Sequence, residues 1–357
     1  MAWLHRCSLG TAVAVVWALV GASTVMAQNS NSWPVVRLVG VEYVDVRAIA
    51  NRYNLSASWS AQSAAVRLSD ARTRLIFKAN SREFQTDGVR AFLGEPVVRH
   101  RNSLYVSRID VVTWIMPLLQ PGAGVPRSSR PEVIAIDAGH GGPDAGAANR
   151  RVGVNEKTVV FDLAKRLKLK LEGRGYRVVL TRERDIKIPL QRRPELANRA
   201  SADLFVSLHF NSLPSAPAVR GIETYTLTPQ GLRSTADAIR EPDDRVVVPG
   251  HRFNHWNTVL SAAIHRRLLA SLHPIDRGMR RARFVVLERI NCPAVLVELG
   301  FLSNAAEARK IATPAYRTQL AQALADGIDD YRSSISGRGN RLRAKLMTDE
   351  TTPWPTL

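Results

Sequence analysis

Cysteine is almost missing: the 357-residue chain has two. Cys7 lies ahead of Ala27, so a chain cut after Ala27 keeps Cys292 as its only thiol and can close no intrachain disulfide. Aromatic residues make up 6% of the chain, and no apolar run reaches the roughly 18 residues of a spanning helix, which excludes a membrane bundle. Acid is scarce beside base. Asp and Glu number 31 against 50 Lys and Arg, and the resulting +19 draws the protein towards polyanions without naming one. What remains is ordinary folding material, 45% hydrophobic and 23% charged, so the chain folds as soluble domains. Its length suggests about two of them, large enough to need no disulfide or structural metal.

The amino terminus narrows the choice of polyanion. Arg6 precedes an uncharged run from Leu9 to Val20, followed by small residues and Val25-Met26-Ala27. This pattern predicts a signal peptide over residues 1–27, cleavage after Ala27, and no stable membrane span thereafter. A polyanion met outside the cytoplasm is cell wall or anionic lipid, so nucleic acid is not expected as a partner.

From residue 33 to 120 short alternating runs predict strands: Val35 to Val39, Ala65 to Leu68, Arg74 to Phe77 and Ser103 to Val106. Helices are expected at Val46 to Tyr53 and Ile109 to Leu119, each just after a Tyr-Val pair, Tyr43-Val44 and Tyr105-Val106. The segment Gly40 to Ala50, with Trp59 beyond it, resembles the small α+β module named after the amino-terminal region of copper amine oxidases. The stretch has one histidine, His100, and no cysteine, so no copper site follows from the likeness. Either a wall-binding or spacer role or a purely structural one is expected, with the catalytic part able to work without it. Residues 121–130, rich in Gly, Pro and Ser, read as a linker.

A second domain, residues 131–333, alternates strand-like runs with helical ones. The strands are Val133 to Asp137, Arg177 to Thr181, Asp203 to His209 and Ala294 to Glu298. The helices are Glu156 to Glu172, Leu190 to Ala200, Asn257 to Leu272 and Pro314 to Tyr331. That order predicts an α/β fold with a mainly parallel sheet flanked by helices. The polar, basic stretch 334–357 has no periodicity and reads as a disordered tail.

Four residues stand out. His140 sits in the glycine-rich turn Gly139-His140-Gly141-Gly142 just past a buried strand; alone it is either a surface histidine or a ligand. Glu156 follows the good N-cap Asn155, where a helix dipole by itself explains a carboxylate. His209 ends a second buried strand, and Glu298 a third, where the alternative is an ion pair with an arginine. In open α/β sheets ligands bind outside the carboxyl ends of strands, so these distant residues can converge. Two histidines and a carboxylate are a frequent catalytic zinc set that leaves a position open for water, and a further carboxylate is then the natural base.

The motifs Asp137 to Gly142, Asn155-Glu156-Lys157, Leu180-Thr181-Arg182 with Asp185, Leu190, Arg193, Ala197 and Asn198, Ser207-Leu208-His209 with Asn211, Gly221 to Tyr225, and Val297 to Asn304 follow in order. With them, the region from Val133 to Tyr331 resembles the zinc-dependent N-acetylmuramoyl-L-alanine amidases of bacterial cell-wall remodelling. The resemblance implies Zn2+ held by His140, Glu156 and His209, with Glu298 as the catalytic carboxylate. It implies peptidoglycan as partner and an exported protein, periplasmic or extracellular. The implied bond is the amide between N-acetylmuramic acid and the first L-alanine of the stem peptide. The rival readings are another zinc peptidase acting on wall peptides and a non-catalytic wall-binding protein. Phe210 stands where the family often has a small residue, and residues 230–255 form a long charged segment that suits either a lid or a tolerated loop. Cys292, beside Pro293, resembles no nucleophile and reads as a small residue leading into a buried strand.

Overall fold

The computed structural model describes residues 32–62, 64–123 and 131–336. The expected signal peptide, most of the linker and all but the first residues of the expected tail lie outside them. The described residues from Pro34 onward belong to one compact unit.

Within that unit one sheet of eleven strands runs from Arg177–Leu180 through Val133–Ala138, Leu204–Asn211, Ala294–Phe301, Ile222–Leu227 and Asp276–Ala282 to Val89–Phe92, Glu83–Thr86, Arg74–Lys78, Ala65–Ser69 and Ser56–Ser60. The sheet is mixed. Its first four strands are mutually parallel, Ile222–Leu227 is antiparallel to Ala294–Phe301, and the last five strands are a run of antiparallel neighbours. The two parts separated by the linker composition thus share a sheet, joined where Met279 pairs with Ala91. A second, four-stranded antiparallel sheet places Val44 opposite Val106, so the two Tyr-Val pairs of the sequence are neighbours on adjacent strands.

The Glu156–Glu172 helix follows its sequence closely. Asn155 Oδ1 accepts the Thr158 N–H as its cap, and the Val160, Leu163, Leu167 and Leu171 stripe is buried. With the Asn254–Leu272 and Pro314–Ile335 helices it covers one face of the sheet, around Ile136, Val206, Leu208 and Val297. The other face carries Ala135, Phe205 and Leu296 against Ala197 of the Arg192–Arg199 helix and Val286 and Leu287 of the short Val285–Glu288 helix. The last helix continues to Ile335, past the start of the expected tail.

The helix expected over Ile109 to Leu119 is irregular: Arg108–Asp110 and Met116–Leu119 are α, and Val111–Ile115 between them is π. Pro117 explains this, because it has no N–H to give the carbonyl four residues back, that of Thr113. That carbonyl accepts instead from Thr258 Oγ1 at 2.7 Å and Arg281 Nη2 at 2.8 Å, which knits this segment to the carboxy-terminal part.

Candidate active site

Three adjacent parallel strands bring their carboxyl ends together. Val133–Ala138 leads into His140, Leu204–Asn211 carries His209, and Ala294–Phe301 carries Glu298, whose Cα is paired in register with that of His209. Glu156 enters from the first turn of its helix. The Glu156 N–H is held by the Ala147 carbonyl at 2.7 Å, and a short ladder pairs Ala148 with Asn155 just before it. The convergence expected from the strand-end rule is present.

Glu156 is 3% exposed, and its carboxylate is spent at both oxygens. Oε2 faces His140 Nε2 at 3.0 Å and accepts the Ala147 N–H at 2.8 Å. Oε1 faces His209 Nδ1 at 2.9 Å and accepts the Phe210 N–H at 3.0 Å. The two imidazoles stand edge to face, 5.1 Å apart. Burial works to raise the Glu156 carboxyl, but the hydrogen bonds to His140 and His209 outweigh it and bring it down to about 2. A helix dipole alone would not gather two imidazoles, so the dipole explanation of Glu156 falls short.

One donor atom from each of His140, Glu156 and His209 lies within 4.8 Å of the others, and such a group can hold a metal ion. The donor set, two imidazoles and a carboxylate, suits zinc. Asp144 completes the setting: its Oδ1 lies 3.0 Å from His140 Nδ1, which directs Nε2 towards Glu156. Sequence reasoning passed over Asp144, though a carboxylate four residues beyond a loop histidine is a usable signal. Gly146, at φ 66°, lies so near that an added Cβ would come within 2.6 Å of His140 Cδ2. Its backbone conformation and this contact both require glycine.

His140 itself has a left-handed backbone, φ 60°. Buried cations hold it there. Arg193 Nη1 donates to Asp137 Oδ1 at 2.7 Å and to the Ala138 carbonyl at 2.8 Å, while Nη2 donates to the His140 carbonyl at 3.0 Å. Arg182 donates to the carbonyls of Ala138, Gly139 and Lys157. Asp137, fully buried, also accepts from Thr181 and Ser207 at 2.7 Å each.

Glu298 has no arginine partner among the described residues, so the ion-pair reading of it does not describe this structure. Its Oε2 is buried with no hydrogen-bond partner among them. Burial pushes its carboxyl well above the usual carboxylate range, and the charges of Glu156 and Glu223 push the same way. A half-buried carboxyl with one buried, unused oxygen beside three metal-type donors is suited to exchanging a proton with a reactant.

Phe210 is buried in the core on the helix-covered face, so its bulk does not meet the site. The 230–255 segment leaves from the other end of the sheet. Because Ile222–Leu227 runs antiparallel to Ala294–Phe301, Leu227 points away from Glu298. The segment is then tied to the amino-terminal strands: Arg82 Nη2 donates to the Ser234 carbonyl at 2.9 Å and Arg240 Nη2 to Glu95 at 2.6 Å. Cys292 is buried ahead of its strand, which pushes its thiol up and away from reactivity.

A family model described as N-acetylmuramoyl-L-alanine amidase matches residues 134–330. The chain is 35% identical over 241 residues to the N-acetylmuramoyl-L-alanine amidase AmiC of Neisseria meningitidis, covering 62% of this chain and 57% of that one. It is 32% identical over 226 residues to AmiA of Escherichia coli, covering 57% of this chain and 78% of the relative. A crystal structure of an N-acetylmuramoyl-L-alanine amidase from Clostridium difficile matches with a TM-score of 0.48 at 30% identity, over 57% of this chain and 97% of that one. The match thus spans a little over half the length of the Neisseria relative.

Proposed function

The chain belongs to the N-acetylmuramoyl-L-alanine amidase family, and from that membership we propose that it hydrolyses the amide between N-acetylmuramic acid and L-alanine in peptidoglycan, as a zinc enzyme exported to the cell wall. The observation that carries the reading is the meeting of His140, Glu156 and His209 within 4.8 Å beside Glu298, whose Oε2 has no hydrogen-bond partner among the described residues. His140, Glu156 and His209 would hold the metal. Bound there, zinc supplies Lewis-acid polarisation of the scissile carbonyl and lowers the pKa of water towards about 7.

The chain's own residues do the rest. Glu298 takes the proton of the attacking water and returns it to the leaving amine, from a position in register with His209. Asp144 fixes the His140 ring, and Arg193 and Arg182 fix the loop that carries it. No covalent intermediate is needed. Export accords with the Arg6 and Leu9 to Val20 pattern, and no helix among the described residues is long and apolar enough to cross a membrane. The amino-terminal strands, with Arg74 and Lys78 exposed on them, serve retention on the anionic wall.

The test is mass spectrometry of purified peptidoglycan digested by the full mature chain, with metal analysis of the same sample. Free lactyl ends and intact stem peptides released from glycan are expected, with one zinc per chain. New peptide carboxyl ends would make it a peptidase instead, and unchanged peptidoglycan would leave a binding protein.

A further inference from the structure

The face that carries Glu298 continues sideways into a second polar cluster. Glu223 is the Cα partner of Glu298 on the next strand, so the two side chains leave the same face. Glu223 is 3% exposed and gathers four donors. Oε1 takes Arg277 Nε at 2.8 Å and lies 3.4 Å from Arg280 Nε, while Oε2 takes the Tyr225 hydroxyl at 2.9 Å and Asn211 Nδ2 at 3.1 Å. A register shift between Ile222 and Thr224 sets Glu223 against Arg277 and Gly278, and this turns both arginines towards it.

The charges do not cancel: two guanidiniums meet one carboxylate. Neither arginine is spent. The Arg277 guanidinium lies over the Phe301 ring at 5.0 Å and that of Arg280 over Phe92 at 4.6 Å, which fixes both planes. Each directs its Nε inward, to Glu223 or, from Arg280, also to the Arg277 carbonyl at 3.0 Å. Among the described residues no acceptor is within hydrogen-bond distance of their Nη groups, and the side chains keep 28% and 20% of their surface open. An ion pair built only to neutralise Glu223 needs one arginine. Two forks held flat with their ends open match a carboxylate.

Resting on the reaction proposed above, we propose that the Nη groups of Arg277 and Arg280 bind a carboxylate of the stem peptide, one to three residues beyond the scissile amide. Adjacent strands lie about 4.8 Å apart, and the guanidiniums collect around Glu223, one strand from Glu298. An extended peptide covers about 3.4 Å per residue, so that carboxylate reaches them while the amide lies at Glu298. Glu223, Tyr225 and Asn211 are positioning residues for the pair.

The experiment uses the full mature chain with zinc and muramoyl-peptides carrying free stem carboxylates or the corresponding carboxamides. Wild type should prefer the carboxylates by roughly 10- to 100-fold in kcat/KM, mostly through KM. In Arg277→Gln/Arg280→Gln that ratio should collapse towards one, with zinc content retained. A wild type indifferent to amidation overturns the proposal without any variant having to fold. So does a preference that survives in the double variant. Failure of wild type to release lactyl ends from either substrate or from intact peptidoglycan sinks the reaction itself, and this subsite with it.

Discussion

Arg193 and His140 are joined by a 3.0 Å hydrogen bond from a buried guanidinium to the carbonyl of a residue in left-handed conformation. A non-glycine residue holds such a backbone only when its surroundings impose it. Here the imposing group also grips Asp137 and the Ala138 carbonyl, so the strand end, the loop and the ring orientation of His140 are one unit. Arg193→Gln should lower zinc affinity by roughly 10- to 100-fold, the scale seen when groups that orient ligands are removed, although no ligand is altered. Competition against a chelator of known affinity measures it, and unchanged affinity would refute the linkage.

Asp137 is the other half of that unit, and its protonation should be visible in stability. Burial works to raise its carboxyl, but Arg193, Thr181 and Ser207 hold it below the usual carboxylate range. A carboxyl lowered in the folded state stabilises it above the unfolded value of about 3.9, and the contribution is lost as pH falls through the lower folded value. Asp137→Asn, which strands Arg193 in the core, should cost about 3–5 kcal/mol near neutral pH. In thermal unfolding series the gap between wild type and variant should be widest above about pH 4 and narrow below it. A gap that stays constant into acid would exclude Asp137 as the titrating group.

Glu298 should separate metal binding from chemistry. Glu298→Gln keeps the shape but cannot take a proton, so zinc content should stay near normal while turnover falls by roughly 10² to 10⁴. His140→Ala and His209→Ala should instead lose zinc. Zinc loss in Glu298→Gln would make Glu298 a ligand, and full activity would place the base elsewhere.

Much of this arrangement is legible before folding, and the reasons are local. Val160, Leu163, Leu167 and Leu171 mark their helix by period, and the apolar runs ahead of His140, His209 and Glu298 mark three strands whose carboxyl ends meet. What escapes is what burial patterns disguise. Asp276–Ala282, with Arg277, Gly278, Arg280 and Arg281, is not among the strands expected from the sequence, yet it is a strand whose arginines pack over Phe301, Phe92 and Trp114. Without that strand the carboxylate-type cluster around Glu223 and the union of the two sheet halves are both invisible. The separation suggested by the linker composition has the same origin, since Gly, Pro and Ser report a loop and not which strands it connects.

That union changes what removal of the amino-terminal part should do. Asp276–Ala282 would lose its neighbour Val89–Phe92, and the Arg90 N–H to Asp276 bond of 2.8 Å would go with it. Arg281, buried at 2% exposure, would lose the Trp114 ring 4.3 Å from its guanidinium and both bonds to Thr113. A buried cation stripped of its partners is among the costlier defects available to a fold. A chain beginning at Pro131 should therefore melt well below the full mature chain or aggregate, contrary to the expectation that it works alone. Wall retention is better tested with the fold intact. Arg74→Gln/Lys78→Gln alters exposed ends of one strand and should leave the melting temperature within a few degrees. If the amino-terminal strands hold the wall by charge, this variant should sediment less with insoluble peptidoglycan than wild type at low salt, and the two should converge as salt rises. Equal sedimentation at every salt concentration would remove these two cations from wall binding. An unaltered melting temperature for the chain beginning at Pro131 would show that the shared sheet adds no stability.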